Sequence, residues 1–100
     1  MTEGTQRRLA AIVSADVVGY SRLMGVDEAG TYARLKARFS ELVEPKIAEY
    51  NGRVVKLMGD GLLAEFPSVL EAVNWAVEVQ TEIAQINDNE TDDKRIEYRD

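Results

Sequence analysis

Two aspartates, Asp16 and Asp60, are the residues whose surroundings suggest chemistry. Asp60 sits between Gly59 and Gly61 inside 52–66, GRVVKLMGDGLLAEF. An Asp-Gly pair between two apolar runs predicts a hairpin tip, because glycine accepts the positive φ that tight turns demand. A second glycine costs backbone entropy without helping a turn. It does leave bare backbone on both sides of a carboxylate, where a metal ion or a large anion can come close. Asp16 lies near the end of the apolar run 9–18, LAAIVSADVV. Each acid also has an ordinary reading: Asp16 as a helix cap, Asp60 as a turn former.

The rest of the composition narrows the chemistry. The chain has no His and no Cys, which removes the commonest general base, the usual zinc ligands, disulfides and thiolate sites. A metal here would be held by oxygen, which points to Mg²⁺, Mn²⁺ or Ca²⁺. Acids outnumber bases 18 to 12, for a net charge of −6. That argues against a nucleic-acid backbone or an anionic membrane as partner, since both need a basic face. A polyanionic nucleotide stays open where divalent metal adds compensating charge. One hundred residues, 45% of them hydrophobic, make a single globular domain that buries roughly two thirds of its unfolded surface. No apolar run spans a bilayer and no secretory signal is present, so the expected location is cytoplasmic.

The elements that must position the acids follow from periodicity. Residues 1–8 read as a loose polar tail. The run 9–18 reads as a buried central strand. Gly19-Tyr20-Ser21 makes a tight passage into a short helix over 21–24, and 25–30 reads as loop, with Asp27 as N-cap for the next element. Consecutive amides over 17–21 would form an anion cradle at a helix start. A long helix over 31–50 places Leu35, Phe39, Leu42, Val43, Ile47 and Tyr50 on one stripe. Pro45 should bend it or weaken one turn. Asn51-Gly52 ends it in left-handed fashion. The hairpin follows, with Lys56 as a lone cation whose neighbours Val55 and Leu57 should point to the core. On its own terms, Lys56 reads as a solvent-facing position.

Ser68 and Glu71 form a capping-box pattern before a second helix over 69–86, with Ala72, Val73, Ala76, Val79 and Ile83 apolar and Trp75 as packing. A charged loop over 87–94 leads to an edge strand carrying Ile96 and Tyr98. The order is βαββαβ with an extra N-terminal helix. The expected fold class is α+β, a ferredoxin-like antiparallel sheet with helices on one face. In that fold the first strand runs antiparallel to the third. The end of one then adjoins the start of the other, about 4.8 Å away. Asp16 and Asp60 would meet within reach of one or two cations. Two such charges about 5 Å apart repel by roughly 3 kcal/mol at an effective dielectric of 20, and a divalent ion reverses that sign.

The stretches AAIVSADVVGYSRLM and GRVVKLMGDGLLAEFPSVLEAVNWAVEVQ, separated by the long helix, resemble the class III nucleotidyl cyclase catalytic domain in its bacterial adenylate cyclase branch. The likeness runs from Leu9 to about Gln80. It rests on the pairing of Asp-x-x-Gly-Tyr-Ser with Lys-x-x-Gly-Asp-Gly-x-x-x-x-Phe. The resemblance implies that Asp16 and Asp60 hold two Mg²⁺ or Mn²⁺ ions with the Val17 carbonyl, and that amides around Val18, Gly19 and Tyr20 hold the terminal phosphates. It implies conversion of ATP to cyclic AMP and pyrophosphate by two-metal displacement without a protein nucleophile. It makes Lys56 the base-reading residue, favouring adenine, and places sites between two head-to-tail subunits of a homodimer.

The family domain is about twice as long. Its second half carries the asparagine and arginine that stabilise the transition state. Residues 9–100 thus read as the N-terminal portion of such a domain, expected to be inactive alone. The alternative is a non-catalytic cyclase-like module for dimerisation or regulation. A single-stranded RNA binder of the same topology is disfavoured by the charge and by a first strand without aromatics.

Overall fold

The computed structural model describes residues 10–89 and 95–99. The expected tail over 1–8 and most of the expected loop over 87–94 lie outside the described residues. Four strands and their connecting helices run in the order β1 (Ala11–Val17), α1 (Tyr20–Val26), α2 (Glu28–Arg38), a π-turn (Phe39–Val43), α3 (Glu44–Glu49), β2 (Arg53–Met58), β3 (Gly61–Phe66), α4 (Val69–Asn87) and β4 (Tyr98–Arg99). The strands form one sheet in the order β2-β3-β1-β4, antiparallel at every junction. This is the expected ferredoxin-like α+β arrangement.

The helices cover one face. Ala15 of β1 and Leu62, Ala64 and Phe66 of β3 are buried there, against Leu42, Val43, Ile47, Trp75, Val79 and Ile83 from the helices, while Val17 packs with Leu23, Leu35 and Ile96 in a second cluster. Trp75 packs as expected, its ring centroid 5.3 Å from that of Phe66, and its indole N–H donates to the Val43 carbonyl at 3.4 Å. Such a tilted ring pair adds about 1 kcal/mol beyond the area it buries. On the other face Ile12, Ser14 and Asp16 are exposed. β1 is therefore central but buried on one side only, where its apolar run suggested burial on both. Val73 of α4 also turns outward, half exposed, because Ala72, Trp75, Val79 and Ile83 already fill the inward arc.

Two helix starts are fixed by side chains. Asp27 accepts from the Gly30 amide at 3.0 Å, and Ser68 accepts from the Glu71 amide at 3.2 Å. The expected loop over 25–30 shrinks to Asp27 alone, because α1 continues to Val26 and α2 begins at Glu28. Pro45 does not end the helical path, and the turn before it is weakened, as expected. Its ring would collide with a carbonyl one turn back, and it has no N–H to donate. The chain absorbs this by widening one turn, so that the Glu44 amide bonds the Phe39 carbonyl, five residues earlier. Asn51, rather than Gly52, takes the left-handed conformation at φ 64°.

Candidate functional site

β1 and β3 bring the two acids to one rim. Asp16 stands across the ladder from Gly61, and the Val17 amide donates to the Asp60 carbonyl at 2.8 Å. Both carboxylate-bearing residues are exposed. Met58 pairs with Gly61, so the hairpin turns on Gly59-Asp60 alone.

The glycines act differently from the expectation. Among the described residues, the one glycine with positive φ is Gly19. Gly61 is needed for space: a Cβ there would lie 2.5 Å from the Ala15 carbonyl oxygen and 2.8 Å from Asp16 Oδ1. No side chain fits between Asp16 and the hairpin tip: Gly61 is buried, and the Asp16 carboxylate and the Ala15 carbonyl close over it. A Cβ on Gly59 would lie 3.2 Å from the Tyr20 hydroxyl. The Tyr20 side chain thus rests against the tip, a contact that no local pattern announces.

The passage after Asp16 is held from two sides. Val17 is buried and pairs with Tyr98. The Val18 amide donates to the Glu97 carbonyl at 2.8 Å, so an anion at that amide would compete with an existing bond. Gly19 follows at φ 66° and ψ 32°, and its carbonyl accepts from the Leu23 amide at 3.0 Å to begin α1. The Gly19 and Tyr20 amides lie at the head of that helix, where amides have no intrahelical partner.

Lys56 is exposed and pairs with Leu63, which in turn pairs with Ser14. That row lies on the open face, one row from Asp16, and Lys56 is two strands from β1, about 10 Å. The expected burial of Val55 and Leu57 is not found: they are 46% and 57% exposed. The register shifts between Val54 and Lys56, so Val55 is the unpaired extra residue of a bulge. Leu57 does stand opposite buried Leu62, but the helices leave a cavity beneath it, and it lines that opening.

Two carboxylates and adjacent main-chain oxygens form a hard donor set that suits Mg²⁺ or Mn²⁺. Among the described residues no cluster of three or more His, Cys, Asp or Glu could hold a metal. A cation at the rim would therefore take its other ligands from water and from a nucleotide, as Mg²⁺ commonly does. A second polar group lies apart from the rim. Lys46 Nζ contacts Glu78 at 2.9 Å and Glu82 at 3.0 Å, and the Tyr50 hydroxyl donates to Glu78 at 2.5 Å. These contacts clamp α3 to α4. Hydrogen bonds from Tyr50 and then Lys46 hold the Glu78 carboxyl below its usual range.

No family model matches the chain. It is 46% identical over 97 residues to a Rhizobium meliloti (strain 1021) protein named "Putative adenylate cyclase 3", covering 97% of this chain and 16% of that protein. Among solved structures it is similar to an adenylate/guanylate cyclase/hydrolase from Silicibacter pomeroyi, with 41% identity, a TM-score of 0.78, and coverage of 95% of this chain and 54% of that one. It shares its fold with a bacterial light-regulated adenylyl cyclase at 18% identity and a TM-score of 0.75, covering 89% of this chain and 49% of that one. The sheet order is that of a nucleotide-cyclase type of domain. The chain belongs to the adenylate/guanylate cyclase family. It spans about half the length of these solved relatives and a smaller part of the curated one. Among the described residues no helix is long and apolar enough to cross a membrane.

Proposed function

We propose that this chain supplies the metal- and phosphate-holding half of an adenylate cyclase site, which converts ATP to 3′,5′-cyclic AMP and pyrophosphate. The observation that carries the reading is the convergence of Asp16 and Asp60 at one exposed rim, where Asp16 stands opposite Gly61 and the Val17 amide bonds the Asp60 carbonyl. Asp16, Asp60 and the Val17 carbonyl would hold two Mg²⁺ or Mn²⁺ ions. Bound there, divalent ions supply charge neutralisation for the triphosphate and acidify the ribose hydroxyl. The chain's own part is to orient. The Gly19 and Tyr20 amides, with Val18 where its bond to Glu97 opens, face the terminal phosphates, and the Tyr20 ring keeps this passage against the hairpin tip.

Lys56 would read adenine as a donor to ring nitrogen N1. Its distance from Asp16 along the sheet suits a site shared between two copies, in which Lys56 serves the acids of the partner. The reading therefore includes a head-to-tail homodimer in the complete catalytic domain. It also includes the absence of turnover from these 100 residues alone.

The test is calorimetric titration of the chain with Mn²⁺ and with Mn²⁺–ATP, beside Asp16→Asn and Asp60→Asn. Either substitution should abolish Mn²⁺ binding while thermal stability holds or rises, since like-charge repulsion is relieved. Unchanged Mn²⁺ affinity in both variants would overturn the site. A chain that dimerises yet binds no divalent ion would instead be the non-catalytic cyclase-like module.

A further inference from the structure

A cavity of about 510 Å³ lies on the helix side of the sheet, behind the rim. Its size falls within the range of small-molecule pockets. We propose that it binds a flat aromatic organic cation. The inference does not depend on the cyclase reading.

Three observations point to that ligand class. First, four rings line the cavity: Tyr20, Tyr32, Phe39 and Tyr98. Aromatic faces are electron-rich and attract cations, most strongly where water is partly excluded. Burial pushes the Tyr98 phenol above its usual range, so that ring remains a neutral wall at physiological pH. Second, the acid in the lining is Glu44 and the base is Lys36. They are eight residues apart along a helical path that includes the π-turn, about two turns, so a cation beside Glu44 is not also beside Lys36. Third, the chain carries a net charge of −6, which concentrates cations and repels anions around any open cleft.

The π-turn contributes to the shape of this cleft. Phe39 and Ser40 belong to the widened turn, Glu44 follows it directly, and all three face the cavity. Single π-turns inside α-helices are frequent at functional sites. The opposite wall is formed by Leu57 and Met58 of the hairpin. Leu57 is therefore an exposed apolar residue that a flat ligand would cover.

Thioflavin T, an aromatic cation, and anilinonaphthalene sulfonate, an aromatic anion, are the probes. Each brightens when it is held in an apolar site. The expected result is saturable thioflavin T binding at least about tenfold tighter than that of the sulfonate. Tyr32→Ala should weaken the cation about threefold, the loss of one ring–cation contact. Glu44→Lys should weaken it further and strengthen the sulfonate. Tyr32 is 62% exposed and Glu44 is also exposed, so neither change disturbs the core. The single Trp75, buried and outside this cavity's lining, reports the fold by its emission. The proposal is overturned if the sulfonate binds as tightly as the cation. It is equally overturned if both variants leave the cation titration unmoved while the Trp75 emission is unchanged.

Discussion

Asp16 faces Gly61 across the β1–β3 ladder, and its Oδ1 lies 2.8 Å from where a Cβ on that glycine would stand. The hairpin tip and the Asp16 carboxylate are therefore fitted to each other by the lack of a side chain. A methyl at 61 would also press on the Ala15 carbonyl, which is backbone and has little freedom to retreat. Gly61→Ala should destabilise the fold by about 1–3 kcal/mol, the usual size of an overpacking penalty. It should also weaken Mn²⁺ binding by displacing the Asp16 carboxylate. Chemical denaturation and Mn²⁺ calorimetry on the variant check the two effects separately. A variant with native stability would mean that the ladder is looser there than this register allows.

Gly19 carries a different kind of constraint. Its φ of 66° is a left-handed conformation, which costs an L-residue with a side chain roughly 1–2 kcal/mol. Nearby space is not the obstacle, since the atoms closest to a Cβ there belong to the flexible Arg22 side chain. Gly19→Ala should lower stability by about 1 kcal/mol while leaving Mn²⁺ binding at the acids nearly intact. Triphosphate binding should fall much more, because the change falls on the passage proposed to hold phosphates. Comparing Mn²⁺ with Mn²⁺–ATP titrations separates these effects. Equal losses in both would place Gly19 in general folding rather than in phosphate contact.

Asn87 ties the last described strand to the helix that precedes it. Its side-chain amide donates to the Ile96 carbonyl at 2.9 Å and accepts from the Ile96 amide at 3.3 Å, and both residues are buried. The neighbouring Glu97 carbonyl receives the Val18 amide, so this anchor also steadies the passage after Asp16. Asn87→Ala leaves two buried backbone groups unpaired and should cost about 2 kcal/mol. Amide exchange at Val18 should rise more than exchange at Ala64 in the middle of the sheet. Equal acceleration at both positions would contradict a local anchor.

Much of this was legible in the sequence, for identifiable reasons. The period of Leu35, Leu42 and Ile47, the caps Asp27 and Ser68, and the apolar run of β1 are local signals, and the element order they give implies that β1 pairs with β3. They survive folding because the two core clusters sit where those apolar stripes meet the sheet. The pairing alone was enough to bring Asp16 and Asp60 to one rim. What could not be read depends on partners distant along the chain. The bulge at Val55 exists only relative to the residues of β3. The role of Gly61 is set by Ala15 and Asp16, 45 or more positions away. The Val18 amide is occupied because Glu97 arrives beside it. Gly25 and Gly30 suggested a loop, yet both are helical because Asp27 alone provides the break.

The Lys46–Tyr50–Glu78 clamp makes stability depend on pH at both ends of the scale. The Glu78 carboxyl is lowered from its usual 4.5, chiefly by the Tyr50 hydroxyl and next by Lys46. A carboxyl that binds its proton less readily in the folded state contributes stability above its unfolded pKa. That contribution disappears as pH falls through the lower folded value. Lys46 is raised, first by Glu78 and then by Glu82. Its contribution is complete below 10.5 and fades only at stronger alkalinity. Across neutral pH the clamp is therefore fully formed, and acid is what releases it. Glu78→Gln should lower the thermal midpoint at neutral pH and flatten its decline below about pH 4.5, because the group that titrates is gone. Lys46→Met should lower the midpoint as well but keep part of the acid decline, since Tyr50 still donates to Glu78. Melting curves recorded from pH 7 down to about pH 3 distinguish the two variants. Parallel wild-type and Glu78→Gln profiles over that range would mean that the clamp contributes no net stability.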